Sequence, residues 1–172
     1  MTTVLRLDHV TKAFGPVKVI QDVSVDVIPD RVRVLLGENG AGKSTLIKMM
    51  SGIYHPGSGS VVIDDTPVEL PTVKAAEARG IATIHQELNL VPQMSVAENI
   101  MLGRTPSRGG LVNWGLMRAQ ARAALERIGL DVSPDRLVGS LSTAHQQLVE
   151  IARALSMDAR VLILDEPTAA LT

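Results

Sequence analysis

The chain has 172 residues, 45% hydrophobic and 20% charged, a balance that builds a buried core and excludes a disordered chain. A net charge of −1 leaves no whole-chain basic field, and a single Phe, Tyr and Trp leave no stacking platform for single strands, so no nucleic-acid partner is expected. Cysteine is absent, which excludes disulfides, thiol catalysis and cysteine-ligated zinc.

The first elements read as strands. Leu5 and Leu7 alternate with Arg6 and Asp8, and Val23, Val25 and Val27 alternate with polar neighbours. Residues 31–36 predict a third strand, whose V-L-L run suits a buried position. Glycines follow, then Leu46, Ile47, Met49 and Met50 at helical spacing, giving strand, glycine loop, helix. Residues 57–60 predict a turn before the strand Val61-Val62-Ile63. Pro71 suits the first turn of a helix over 72–79 that Gly80 ends, and 81–84 read as a further buried strand. Ser95 and Glu98 make a capping box for a helix through Leu102, and 103–113 read as a surface loop. Residues 117–128 have helical period. Ser142 caps a helix whose Leu148, Ile151, Ala152 and Leu155 share one face, and Val161 to Leu164 form an apolar strand running into Asp165-Glu166. Strands alternating with helices predict an α/β sheet with helical insertions. The chain stops eight residues past that last strand, so it is expected to be a fragment. No apolar run approaches the roughly 20 residues of a membrane-spanning helix, and any membrane role is expected to come through a partner.

Gly37-Glu38-Asn39-Gly40-Ala41-Gly42-Lys43-Ser44 fits G-x4-G-K-[ST], which arises by chance at about 4 × 10⁻⁵ per position. In this pattern glycines let backbone N–H groups converge on phosphate oxygens, and the following helix offers its positive end. Lys43 is then expected to reach the β- and γ-phosphates, Ser44 to ligate Mg²⁺, and 37–45, with Thr45, to form the nucleotide site. Asp165 and Glu166 are the second half of that constellation, an aspartate for the Mg²⁺ shell and a glutamate to polarise water. Alone, the acidic pair reads equally as a solvated strand end.

Between these motifs Gln86 follows I-A-T-I-H, then comes L-S-T-A-H-Q-Q-L-V-E-I-A-R-A-L, and D-E-P-T-A-A-L-T closes the chain. The order resembles the ATP-binding cassette (ABC) superfamily: Walker A, Q-loop, signature helix, Walker B, D-loop. H-Q-E-L-N-L-V-P-Q-M-S-V-A-E-N-I-M-L-G-R with Q-Q-L-V-E-I-A-R-A-L is similar to the ATPase subunits of bacterial monosaccharide importers of the ribose, galactose and xylose type. The resemblance implies a P-loop NTPase of ABC type with an antiparallel β subdomain and a helical subdomain, truncated at its C-terminal end. Residues 1–85 and 157–172 would form the core and β subdomain, and 86–156 the helical subdomain, of the first of two tandem cassettes.

Carried over by position, the resemblance gives Phe14 an adenine-stacking role, against its reading as a core phenylalanine. Gln86 would contact Mg²⁺ or the attacking water, Asp165 would be the Walker B aspartate and Glu166 the catalytic base. Ser142, with Ala144 and His145, would face the nucleotide of a second cassette, although a simple N-cap also accounts for Ser142. Residues 87–104 would receive a membrane permease, with Leu88, Leu90, Val91, Met94 and Met101 as an apolar groove or as core. Three features depart from the family pattern. Thr143-Ala144-His145 replaces G-G-Q of the signature, Thr172 stands at the D-loop aspartate, and the switch histidine lies beyond the chain, with His55 and His85 wrongly placed to replace it. The implied function is an ATP-hydrolysing subunit for sugar uptake, acting with a sugar-binding protein at the cytoplasmic side of the bacterial membrane. The alternatives are a nucleotide-binding fragment without turnover and a cassette ATPase not coupled to transport.

Overall fold

A computed structural model of the chain describes residues 4–38, 40–84 and 88–165. The chain divides into two compact units, Met1–Ala82 with Arg160–Ile163, and Thr83–Ala159 with Leu164–Thr172.

In the first unit β1 (Leu5–Phe14) and β2 (Val17–Val27) form a long antiparallel hairpin. β3 (Ser58–Ile63) and β4 (Thr66–Val68) extend it to a sheet of order β2-β1-β3-β4. Alternation sets the faces as the sequence predicts. Leu5 and Leu7 are fully buried, opposite Val27 and Val25 on one side and Ile63 and Val61 on the other. Leu46, Ile47, Met49 and Met50 of α1 (Lys43–Met50) share the same apolar cluster.

The β1–β2 ladder shifts register between Leu7 and Val10, where His9 adopts φ 49°. Gly59 packs there with φ 80°, and a Cβ would lie 2.3 Å from the His9 carbonyl oxygen, so only glycine fits. Ser58 to Ser60 therefore belong to β3 rather than to the expected turn. The β3–β4 connection is Asp64-Asp65, both at positive φ, as a type I′ turn requires. Arg160 grips the Asp64 carboxylate with two bonds of 2.7 and 2.8 Å, which hold that carboxyl below its usual range. α2 (Val73–Glu77) is capped by the Thr72 hydroxyl, so Pro71 precedes the cap instead of entering the first turn.

β5 (Ile81–Ile84) and β8 (Val161–Leu164) pair with each other. Arg160 and Val161 N–H donate to Gly80 O, and Asp165 N–H donates to Ile84 O, so donor and acceptor numbers rise together and the pair is parallel. β8 is buried at Val161 and Ile163, while Leu162 and Leu164 are exposed.

The strand expected over 31–36 is not formed. Val32 and Leu36 are 93% and 89% exposed, and none of the described strands pairs with this stretch. An apolar run of this kind signals a strand flanked on both sides. Without a flanking ladder, Val34 is also exposed and Leu35 alone packs partly against the core.

The second unit is mainly helical. α3 (Val96–Ile100), α4 (Trp114–Arg127) and α5 (Thr143–Leu155) bury Val96, Ile100, Met117, Ala121, Leu125 and Val149 in one cluster. A 3₁₀ turn over Val138–Ser140 leads into α5. α4 begins three residues before the expected start because the Asn113 side chain accepts the Leu116 N–H. The expected loop 103–113 contains a small hairpin, β6 (Ser107–Arg108) with β7 (Leu111–Val112). Gly109-Gly110 supply its two positive φ values, a hairpin signal that was legible in the sequence. The buried face of α5 is Val149, Glu150, Ala152 and Ala154, rotated from the expected stripe, with Leu148, Ile151 and Leu155 half-buried. Arg127 and Arg104 donate to Leu155 O and Ser156 O, satisfying carbonyls at the end of α5.

The capping box at α3 is complete. Glu98 N–H donates to Ser95 Oγ, while the Glu98 carboxylate accepts from Ser95 N–H (2.8 Å) and Ser95 Oγ (2.6 Å). These bonds hold the Glu98 carboxyl below the usual range. Their contribution is therefore full above the unfolded carboxylate value and is lost as pH falls through the lowered folded value. Ser95→Ala is expected to destabilise by about 1 kcal/mol at neutral pH, and by less in acid. Urea unfolding of both proteins across that pH range checks this, and a pH-independent difference would contradict it.

Candidate functional site

The glycine loop and α1 belong to the first unit, and local packing dictates their form. Gly40 and Gly42 adopt φ 85° and 88°, where L side chains are strained. A Cβ on Gly42 would lie 2.4 Å from Ile20 Cδ1 and 3.2 Å from Val19 O, so the loop lies directly on β2. Among the described residues, nothing beyond its chain neighbours lies within 4 Å of where a Cβ on Gly40 would stand. Ala41 N–H donates to Glu38 O and closes a tight turn. The Lys43 ammonium curls back to donate to Gly37 O (2.6 Å) and Glu38 O (2.8 Å), which spans the loop with a positive charge.

α1 starts at Gly42, which offers no side-chain cap, and its first turn holds no acidic residue. α2, α3, α4 and α5 are each capped by a side-chain oxygen, from Thr72, Ser95, Asn113 and Ser142. The positive end of α1 is thus left to a ligand or to water. Ser44 is exposed and Thr45 half-buried in this first turn; Asn39 lies outside the described residues.

Phe14 ends β1 and is 41% exposed, so it is not the core phenylalanine of the alternative reading. Its ring meets Tyr54 edge-on, with centroids 5.2 Å apart.

Asp165 belongs to the second unit, one residue past β8, with its N–H bonded to Ile84 O at 3.0 Å. Gln86 and Glu166 lie outside the described residues, as do His85 and Thr172. Ser142 is exposed and caps α5, its Oγ accepting the His145 N–H at 3.3 Å; Ala144 is half-buried and His145 exposed. Among the described residues no group of three His, Asp or Glu side chains could hold a metal ion by itself. No described helix is long and apolar enough to cross a membrane.

In 87–104, Leu88, Leu90, Val91 and Met94 are half-buried and remain accessible. Met101 is 5% exposed in the helical core, so it cannot line a groove there.

Sequence reading missed the anchors of this segment. Asn99 is fully buried and grips Val91 at both backbone groups, accepting its N–H (2.8 Å) and donating to its carbonyl (3.0 Å). Asn89 is held in the same way from α5, its N–H donating to Glu150 Oε1 (3.0 Å) and its carbonyl accepting from Arg153 (3.2 Å). Gln146 donates to Val138 O and Leu141 O at the turn before α5. The one available signal was a polar residue inside each apolar helical run, which on its own gives no partner.

The profile of the ABC transporter family matches residues 20–169. A ribose import ATP-binding protein RbsA of Corynebacterium glutamicum is 66% identical over 169 residues, covering 98% of this chain and 32% of that protein. A putative ribose/galactose/methyl galactoside import ATP-binding protein of Burkholderia ambifaria is 54% identical over 170 residues, covering 99% of the chain and 33% of that protein. The chain thus spans about a third of the length of the curated relatives it matches. Among solved structures, an ATP-binding cassette of an ABC transporter in its ADP conformation superposes with a TM-score of 0.86 at 28% identity, covering 100% of this chain and 72% of that one. A profile match over most of the chain, a glycine loop opening an uncapped helix, and the shared cassette fold lead to one assignment: the chain belongs to the ABC transporter family.

Proposed function

We propose that the chain is the nucleotide-binding part of a subunit that hydrolyses ATP to energise sugar uptake by an ABC importer. The observation that carries the nucleotide reading is the loop itself, with Lys43 turned across it and an uncapped helix behind it. The loop amides and Lys43 take the phosphates. Phe14 stacks on the adenine, as its exposed ring at the end of β1 permits.

The oxygen donors suit Mg²⁺. Ser44 gives a hydroxyl and Asp165 a carboxylate, a sparse set for an ion that keeps waters and phosphate oxygens in its shell. When bound, Mg²⁺ neutralises charge on the transferring phosphoryl group. Gln86 joins that shell or the attacking water, and Glu166 accepts the water's proton.

The sugar reading is supported by the 66% identity to a protein named for ribose import. In it, Ser142, Ala144 and His145 face the nucleotide of a second cassette. Residues 87–104, pinned by Asn99, Glu150 and Arg153, meet the permease, and a sugar-binding protein acts through it. Residues 1–85 with 157–172 serve as core and β subdomain, and 86–156 as helical subdomain. The subunit works peripherally at the cytoplasmic face of the membrane.

Titration calorimetry of the chain with MgATP tests the nucleotide reading. A saturable one-site isotherm is expected, and no heat and no thermal shift at millimolar nucleotide would refute it. The complete protein with its permease in liposomes tests the sugar reading. ATPase stimulated by a monosaccharide-loaded binding protein is expected, and indifference to every monosaccharide would overturn the importer assignment.

A further inference from the structure

The turn that follows α1 carries a residue that none of the motifs includes. Ile53 and Tyr54 N–H both donate to Lys48 O, at 2.8 and 2.9 Å, folding the chain back onto the end of the helix that begins at Lys43. From that position the Tyr54 ring meets the Phe14 ring at 66° with centroids 5.2 Å apart. The Lys12 ammonium lies 5.5 Å from the Phe14 centroid and 5.8 Å from that of Tyr54, and it donates to His55 O at 2.7 Å. Lys48 lies 5.5 Å from the Tyr54 centroid. Phe14 is also registered to the loop through β2. It pairs with Val17, and Val19 and Ile20 lie against Gly42.

We infer that Tyr54 is a positioning residue: it braces the exposed Phe14 ring against α1, with Lys12 holding both rings, so that the ring is set for a nucleobase before one arrives. An unbraced phenylalanine at a strand end samples several rotamers and loses that freedom on stacking. An edge-on neighbour tied to the phosphate-binding helix removes the cost in advance. The inference rests on the nucleotide reading above, with Phe14 as the base platform.

The test titrates the 172-residue chain with MgATP and with magnesium tripolyphosphate, which has the phosphates and no base. Tyr54→Leu is expected to weaken MgATP about fivefold and to leave tripolyphosphate within about twofold, the latter also reporting an intact fold. Tyr54→Phe, which keeps the ring, restores ATP affinity. In a Phe14→Ala background Tyr54→Leu adds nothing, because the brace has no ring to hold.

Wild-type ATP affinity in Tyr54→Leu, an equal loss for tripolyphosphate, or an additive effect in the Phe14→Ala background overturns the inference and leaves the nucleotide reading standing. Wild-type ATP affinity in Phe14→Ala overturns the stacking role and this inference together. If Tyr54→Leu does not fold, Lys12→Met decides, with a smaller loss for ATP alone expected and no loss counting against the brace.

Discussion

Lys43→Ala is expected to weaken MgATP binding to the chain by about 100-fold, or about 2.7 kcal/mol. The ammonium is placed by two short bonds to Gly37 O and Glu38 O, so it is held across the loop before a ligand arrives. A neutral methyl group removes the one full positive charge of the motif and leaves only amide dipoles toward a polyanion. The same bonds also tie the loop together, but they are solvent-exposed, and exposed bonds of this kind contribute about 1 kcal/mol or less to folding. The apo protein should therefore melt close to wild type, while the stabilisation conferred by saturating MgATP largely disappears. Lys43→Arg should fall between the two, since a planar guanidinium keeps the charge but cannot place it as a compact point. Calorimetry and thermal unfolding with and without nucleotide measure both terms. Wild-type affinity in Lys43→Ala would remove the loop from its proposed role.

How much of this was legible beforehand follows from the range of each signal. Local patterns transferred directly. Leu5 and Leu7 face the core because a pleated strand alternates, and Ser95 with Glu98 caps α3 because that bonding is complete within one turn. β5 and β8 match the predicted bounds because each is a short apolar run between turn residues. The failures need knowledge of neighbours. Residues 31–36 have the composition of a central strand, but a strand exists only where ladders receive it, and none of the described strands does so. The buried stripe of α5 was misplaced because Glu150 is buried to hold Asn89, a contact across 61 residues that no hydrophobic period encodes.

The candidate site divides along the same line. Gly37 to Ser44 form one contiguous motif, so its glycines, turn and lysine could be read from spacing alone. Gly42 needs more, because the side chain that excludes a Cβ there comes from Ile20 of a different element. Met101 was open to a groove and to a core reading, and its burial among α3, α4 and α5 selects the core one, because apolarity alone cannot tell a surface from a core. Phe14 was open to both readings, and its exposure excludes the core one.

Glu166→Gln in the complete protein is expected to bind MgATP within about threefold of wild type and to lose turnover by at least about 100-fold. The substitution keeps size and shape while replacing a carboxylate by an amide that does not accept a proton from water at neutral pH. The phosphate contacts assigned to Lys43 and the loop are untouched, so binding survives and the proton transfer alone fails. Asp165 provides the contrast. It follows β8 directly, with its N–H bonded to Ile84 O, and its proposed part is in the metal shell. Asp165→Asn should therefore weaken MgATP and make the remaining binding less dependent on Mg²⁺, an effect that Glu166→Gln should lack. Steady-state ATPase and calorimetry with and without Mg²⁺ separate the two acids. Unchanged turnover in Glu166→Gln would take the general-base role from Glu166. A parallel loss of affinity and rate, matching Asp165→Asn, would assign both acids to the metal.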